Sequence, residues 1–220
     1  MKTKFYLGLF VLLFYCVGVY SQRQVIVGVH PYGFANVKYH NDVLKNKFKY
    51  SYKSLLGADL GYEYQGNNHS VLTEISFNYG KFDKYEPSGE LPVTFNPEQD
   101  DDMFSASFSI YYGFTINPRR RIQFPIYIGP FVDYLKSGVI HNVGLGGAAK
   151  LRVKFYISNK IGVFVGATGR FGIYLKDDKV DENSPEKAKY REEKASDGYD
   201  TDYTINNLTF YPEAGLIFSF

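Results

Sequence analysis

The sequence has no tryptophan and a single cysteine, Cys16. That cysteine falls in an N-terminal segment that reads as an export signal. The processed chain then has none, and disulfides are excluded although an oxidising compartment would permit them. An excess of charge is missing too. When Lys2 and Lys4 leave with the same segment, the 25 basic residues fall to 23 and equal the 23 acidic ones. No global argument for nucleic-acid binding survives that balance. The apolar run Phe5 to Val19 has 15 residues, short of the roughly 20 that a membrane-spanning helix needs. It follows a basic pair and precedes Val19-Tyr20-Ser21, with modest or small side chains at −3 and −1, which is the layout of a secretory signal peptide. Residues 1–21 are expected to be a signal cleaved between Ser21 and Gln22. Lipidation of Cys16 is not expected, because Tyr15 stands where a lipoprotein signal has a small residue.

What is abundant is aromatic and small: 21 Tyr, 19 Phe and 21 Gly. Apolar residues make up 45% and charged residues 22%, which excludes wholesale disorder. The mixture favours strands over helices. Residues 22–220 have the length of one domain.

Through that domain the polarity alternates with period two, the strand period. The run Phe104 to Ile116 puts Phe104, Ala106, Phe108, Ile110, Tyr112, Phe114 and Ile116 on one face, and Ser105, Ser107, Ser109, Tyr111, Gly113 and Thr115 on the other. Similar runs cover Val71–Lys81, Ile122–Tyr134, Val143–Ile157, Ile161–Leu175 and Leu208–Phe220. Weaker ones at Val25–Val37 and Leu55–Gln65 complete eight. Tight turns at 66–68, 117–121 and 158–160 are rich in turn-forming residues. The remaining connections, near 38–54, 82–103, 135–142 and 176–207, read as longer. Short and long connections alternate, as in an all-β, eight-stranded antiparallel up-and-down barrel.

A soluble calycin barrel alternates as well, with its apolar face inward, and it is the alternative. Three features favour the inverse arrangement, a transmembrane β-barrel. The less apolar face is rich in Ser and Gly, which suit a narrow lumen. The apolar face has aromatics near both ends, Tyr62, Tyr64, Phe114, Phe155, Phe218 and Phe220 at the turn end and Tyr79, Phe104 and Tyr134 at the other, around an aliphatic middle. The strands are long enough to cross a bilayer at a tilt, and closure is then compulsory because lipid cannot pair an open edge.

The signal, the eight amphipathic strands and the final Leu216-Ile217-Phe218-Ser219-Phe220 resemble a small bacterial outer-membrane barrel. The terminal pattern Leu216, Phe218, Phe220 resembles the signal read by the barrel-assembly machinery. Cleavage directly before Gln22 resembles secreted proteins of the Bacteroidetes. The resemblance is to the outer membrane protein beta-barrel domain family, which includes PorT-like proteins. It implies a Gram-negative outer membrane, lipid as surroundings, and a surface or secretion-system protein as partner. It implies no cofactor.

The inward face is expected to hold a charge network of His30, Asp59, Glu63, Glu74, Lys150, Arg152, Lys154, Arg170 and Glu213, with Asp133 also inward. Tyr32, Tyr111, Tyr127, Tyr156, Phe164, Tyr174 and Tyr211 are assigned inward beside it. A conduit is one reading of such a face; a lumen filled by paired charges is the preferred one, since an eight-stranded barrel is just wide enough to fill itself. No His, Ser and acid cluster at the outer rim, so no catalysis is expected. A small pore or lipid-modifying enzyme is an alternative role, and an accessory of a secretion machinery another. The loops differ in sign: Lys38, Lys45, Lys47, Lys49 and Lys53 in the first, mostly acids in the second, including Asp100-Asp101-Asp102. Solvated loops are preferred over a divalent-cation site there. Arg119-Arg120-Arg121 forms a basic turn at the opposite end. The expected role is structural or interactive, through the loops.

Overall fold

A computed structural model of the chain describes residues 22–41, 47–88, 102–118, 120–137, 140–174 and 203–220. The expected signal segment with Cys16 and Ser21, the acidic pair Asp100-Asp101, Arg119 and most of the last loop lie outside the described residues.

The strands are β1 (Gln22–His30), β2 (Phe34–Asn41), β3 (Lys47–Gln65), β4 (His69–Ser88), β5 (Met103–Ile116), β6 (Ile122–Ser137), β7 (Ile140–Tyr156), β8 (Ile161–Tyr174) and β9 (Tyr203–Ser219). From β3 to β9 each strand pairs antiparallel with the next. Both β1 and β2 pair with β3 on one side and β9 on the other, which closes the ring. They lie end to end, so nine strands make eight staves: an eight-stranded antiparallel up-and-down transmembrane barrel.

The break in the first stave falls at Pro31-Tyr32-Gly33, and the neighbouring stave is irregular at the same level. There β3 slips register against β4 between Lys53 and Leu56, with Ser54 at φ 52°, and the Leu55 amide donates to the Gly33 carbonyl at 3.1 Å. Gly33 is required by close approach: a Cβ there would sit 2.8 Å from the Phe210 carbonyl oxygen and 2.8 Å from the Tyr211 Cβ. The break also corrects the assignment of Tyr32 to the lumen. Released from the alternation, Tyr32 points outward and is 61% exposed.

Several strands run past the expected bounds at the long-loop end. β3 starts at Lys47 and β4 ends at Ser88, so the connections expected at 38–54 and 82–103 shrink to 42–46 and 89–102. Strands β6 and β7 are separated only by residues 138–139. Not every connection at that end is long.

Polarity is inverted relative to a soluble domain. Leu60, Phe108, Ile128, Leu145, Val165 and Leu216 are exposed, each at 46% or more. Glu74, Lys150, Arg152 and Glu213 are buried inside. This removes the calycin alternative, which needs the opposite. On β5 the apolar stripe from Phe104 to Ile116 runs about 40 Å along the strand at ~3.3 Å per residue, or about 30 Å of depth at a ~40° tilt. That depth matches the hydrocarbon core of a bilayer.

Candidate functional site

The lumen is layered, and the chain alternation positions each layer. At the turn end lies an amide layer. Gln24 Nε2 donates to Gln65 Oε1 at 2.9 Å and to the Tyr156 hydroxyl at 2.9 Å, and Gln65 Nε2 donates to Gln123 Oε1 at 2.8 Å. Lys154 bonds Glu63 and donates to Gln24 Oε1 at 3.1 Å, while the Tyr127 hydroxyl donates to Glu63 Oε1 at 2.9 Å.

Next comes the central charge cluster. Lys150 and Arg152 project inward from alternate positions of β7. Lys150 Nζ meets both carboxylate oxygens of Glu74 at 2.6 and 2.7 Å and Glu213 at 3.1 Å. Arg152 donates from Nε to Glu213 Oε1 at 2.6 Å, and from Nη2 to Glu213 Oε2 at 3.1 Å and Glu74 Oε2 at 3.0 Å. The guanidinium also lies over the Phe164 ring, 4.4 Å from its centroid. Each cation therefore ties β4 to β9 across the lumen. Burying an ion costs several kcal/mol unless it is paired and hydrogen-bonded, and this mutual bridging meets that condition except at Arg152 Nη1, which has no hydrogen-bond partner among the described residues.

His30, from the other side of the lumen, lies 2.5 Å from Asp59 Oδ2 and 3.0 Å from Asn78 Oδ1, stacked on Tyr211 with ring centroids 3.9 Å apart. The ligand-capable atoms of His30, Asp59 and Glu213 lie within 4.8 Å of one another. That spacing would suit a metal, but the Lys150 ammonium stands among them, 3.8 Å from Asp59 and 3.1 Å from Glu213. The positive charge the carboxylates need is already supplied by the chain.

Arg170 is buried with the others but stands apart from this cluster. It donates to Ser109 Oγ at 3.0 Å and lies 4.3 Å from the Phe131 ring centroid. Among the described residues no carboxylate comes within ion-pair distance of it. Asp133 instead accepts from the Tyr174 hydroxyl at 2.5 Å, and Asn207 Nδ2 donates to that hydroxyl at 3.2 Å. Above lies an apolar cap of Val37, Tyr50, Tyr52, Leu55, Met103 and Leu135, where the Tyr52 and Ser137 hydroxyls bond each other.

The other residues singled out in the sequence are placed as follows. Leu216, Phe218 and Phe220 face outward at the turn end, with Phe220 6.3 Å from Tyr62 between ring centroids. Gln22 opens β1 and pairs with Gln65. The Asp102 carboxylate is occupied within the chain, bonded by the Tyr79 hydroxyl and by the Phe82 amide at 3.2 Å. The amides Gln24, Gln65 and Gln123, and Asn78, were not singled out. Gln65 and Gln123 fall on the inward face within the alternating runs and Gln24 one residue before the first, so period-two parity reaches all three glutamines.

No family model matches the sequence, and no curated protein matches it. Solved structures are similar in outline. The outer membrane protein OprG from Pseudomonas aeruginosa is 10% identical, with a TM-score of 0.49, over 93% of this chain and 98% of that one. Neisserial surface protein A is 12% identical, at a TM-score of 0.41, over 90% and 97%. The outer membrane protease OmpT from Escherichia coli is 7% identical, at a TM-score of 0.43, over 90% and 97%. The class of the protein rests on its own strand pairing and inverted surface, which define a membrane-spanning β-barrel.

Proposed function

We propose that the protein is an integral outer-membrane barrel of a Gram-negative bacterium, delivered by a cleaved signal, whose lumen is closed by its own side chains. The observation that carries this reading is the double bridging of Glu74 and Glu213 by Lys150 and Arg152, which crosses the lumen at its centre. An eight-stranded barrel leaves little room beyond such side chains. The role is structural or interactive rather than catalytic or conductive. Both ring nitrogens of His30 are engaged inside the barrel, and His69 faces outward, bonded to the Tyr112 hydroxyl at 2.6 Å. Among the histidines whose side chains the structure describes, neither is offered to a nucleophile. Partner contact falls to the long-loop end, where β3 and β4 rise beyond the apolar band as a charged hairpin. Lipid and the barrel-assembly machinery are the partners in biogenesis, with Leu216, Phe218 and Phe220 as the assembly signal.

Reconstitution in planar bilayers tests the closed lumen. The protein should show no steady conductance, and Glu74→Gln/Glu213→Gln should not exceed a small leak. Stable channel steps from the wild-type protein would refute the closed-lumen reading.

A further inference from the structure

Among the described residues, the exposed charged side chains of the short-turn end are all basic; the Phe220 terminus, whose amide bonds the Arg23 carbonyl at 3.0 Å, lies beside them. Arg23, Arg120, Arg121 and Lys160 are all exposed there. Among the described residues no exposed Asp or Glu side chain accompanies them; Glu63, the nearest acid, is buried against Lys154. The opposite end differs, with acids and bases interleaved as Lys53–Asp83 and Lys49–Glu86.

The basic rim also has a shallow, open depression. A cleft of about 330 Å³ lies between the 66–68 and 117–121 turns, lined by Asn67, Asn68, Asn117, Pro118 and Arg120. Backbone bonds fix its walls: the Thr115 amide donates to the Asn68 carbonyl at 2.7 Å and the Arg120 amide to the Asn117 carbonyl at 3.1 Å, with Asn117 at φ 58°. Beside Pro118 the lining offers amide groups and the Arg120 guanidinium, chemistry suited to a phosphate oxygen. Directly beside it the outer wall presents Ile116, Ile122 and Phe124, each at least 40% exposed. A cationic polar cleft bordering an apolar wall at the edge of the membrane band matches a lipid, headgroup above and chains alongside.

We propose that this cleft and rim bind the phosphate of an anionic phospholipid in the leaflet on the short-turn side. Arg120 supplies the charge in the cleft and Asn68 a polar contact. Arg121, Arg23 and Lys160 extend the attraction around the rim. The inference rests on the membrane-barrel reading above. It adds a lipid preference at the short-turn end.

The test uses the full processed chain in nanodiscs of mixed phosphatidylglycerol and phosphatidylcholine. Heat-modifiable gel migration is checked first; failure to insert would overturn the membrane reading itself. Lipid retained after mild detergent extraction is then identified by mass spectrometry. Wild-type protein should retain phosphatidylglycerol in excess. R120Q/R121Q should lower the excess by about five-fold per charge removed, R120K/R121K should keep it, and K84Q at the other end should leave it unchanged. Inorganic phosphate, which has the charge but no acyl chains, should not displace the lipid. Equal retention in wild type and R120Q/R121Q, or complete displacement by inorganic phosphate, would overturn the lipid assignment. Capture of a soluble acidic protein by the rim without phosphatidylglycerol enrichment would overturn it in favour of a protein partner.

Discussion

Arg152 and Glu213 grip each other through two hydrogen bonds, of 2.6 and 3.1 Å, although their strands are not neighbours. Between them runs β8, and the residue in register with both is Gly166. A Cβ on Gly166 would lie 2.9 Å from the Arg152 Cγ and 3.0 Å from Glu213 Oε1, and 2.3 Å from the Leu151 carbonyl oxygen. The missing side chain lets the pair close over the intervening strand. Gly166→Val should therefore destabilise the barrel by about 1–3 kcal/mol through overpacking, read as a lower urea midpoint for unfolding from detergent. A midpoint unchanged from wild type would show that the strand can shift to admit the side chain.

Arg152→Leu leaves Glu213 and Glu74 buried with less countercharge. Breaking such a pair typically costs about 3–5 kcal/mol, against about 0–1 kcal/mol for an exposed one. Lys84, on the charged hairpin, is the comparison: it pairs with Glu86 at 2.6 Å with 65% of its side chain exposed. Arg152→Leu should drop the unfolding midpoint clearly and Lys84→Leu hardly at all. Equal midpoints would mean that the lumen is wet enough to screen the central cluster.

Removing both partners is a sharper probe. The variant Arg152→Leu/Glu213→Leu loses one charge of each sign and leaves Lys150 on Glu74. It should be more stable than Arg152→Leu alone, because no charge is stranded. An additive loss in the double-mutant cycle would indicate that the two residues do not act as a pair.

At the long-loop end the hairpin responds to pH. Lys84 and Lys49 hold the Glu86 carboxyl below its usual value of 4.5, chiefly through hydrogen bonds. A depressed carboxylate stabilises the folded form above its unfolded pKa, and that contribution fades as pH falls through the folded value. Backbone amides at 81–86 should lose hydrogen-exchange protection, corrected for intrinsic rate, as pH drops below about 4.5. Glu86→Gln should abolish the change. A pH-independent profile in wild type would remove Glu86 from the hairpin's support.

Much of this architecture is legible in the sequence, for a physical reason. A barrel in lipid must alternate strictly, because every second side chain meets hydrocarbon, and Phe104 to Ile116 shows it without a break. The inward charges follow from the same parity. Legibility fails where the solvent changes. Beyond the apolar band the outward face of β3 and β4 meets water instead of hydrocarbon, while Tyr50 and Tyr52 still face the apolar cap, so Lys49, Lys53, Asp83 and Glu86 read as loop although they are paired strand. Parity also fails at Pro31-Tyr32-Gly33, where the broken stave turns Tyr32 outward. The pairing inside the lumen was not readable either. Parity says that Arg170 and Arg152 both point in, but only strand register shows that Arg152 meets two carboxylates while Arg170 meets Ser109 and Phe131.

Orientation is testable in whole cells. Barrels of this kind keep short turns on the periplasmic side and longer connections outside. The connection from β8 to β9 carries Lys187, Lys189, Arg191 and Lys194 at the long-connection end. Trypsin added to intact cells should cut there and spare Arg120 and Arg121 until the envelope is opened. Cleavage at the arginine turn in intact cells, with the last connection whole, would invert the topology.

The most direct test of the account is the state of the native protein. A closed, fully hydrogen-bonded barrel with an apolar exterior partitions into the outer membrane and resists detergent. The protein should fractionate with outer-membrane markers, and unboiled samples should migrate differently from boiled ones on detergent gels. Recovery from soluble periplasm, with identical migration before and after boiling, would contradict the membrane barrel.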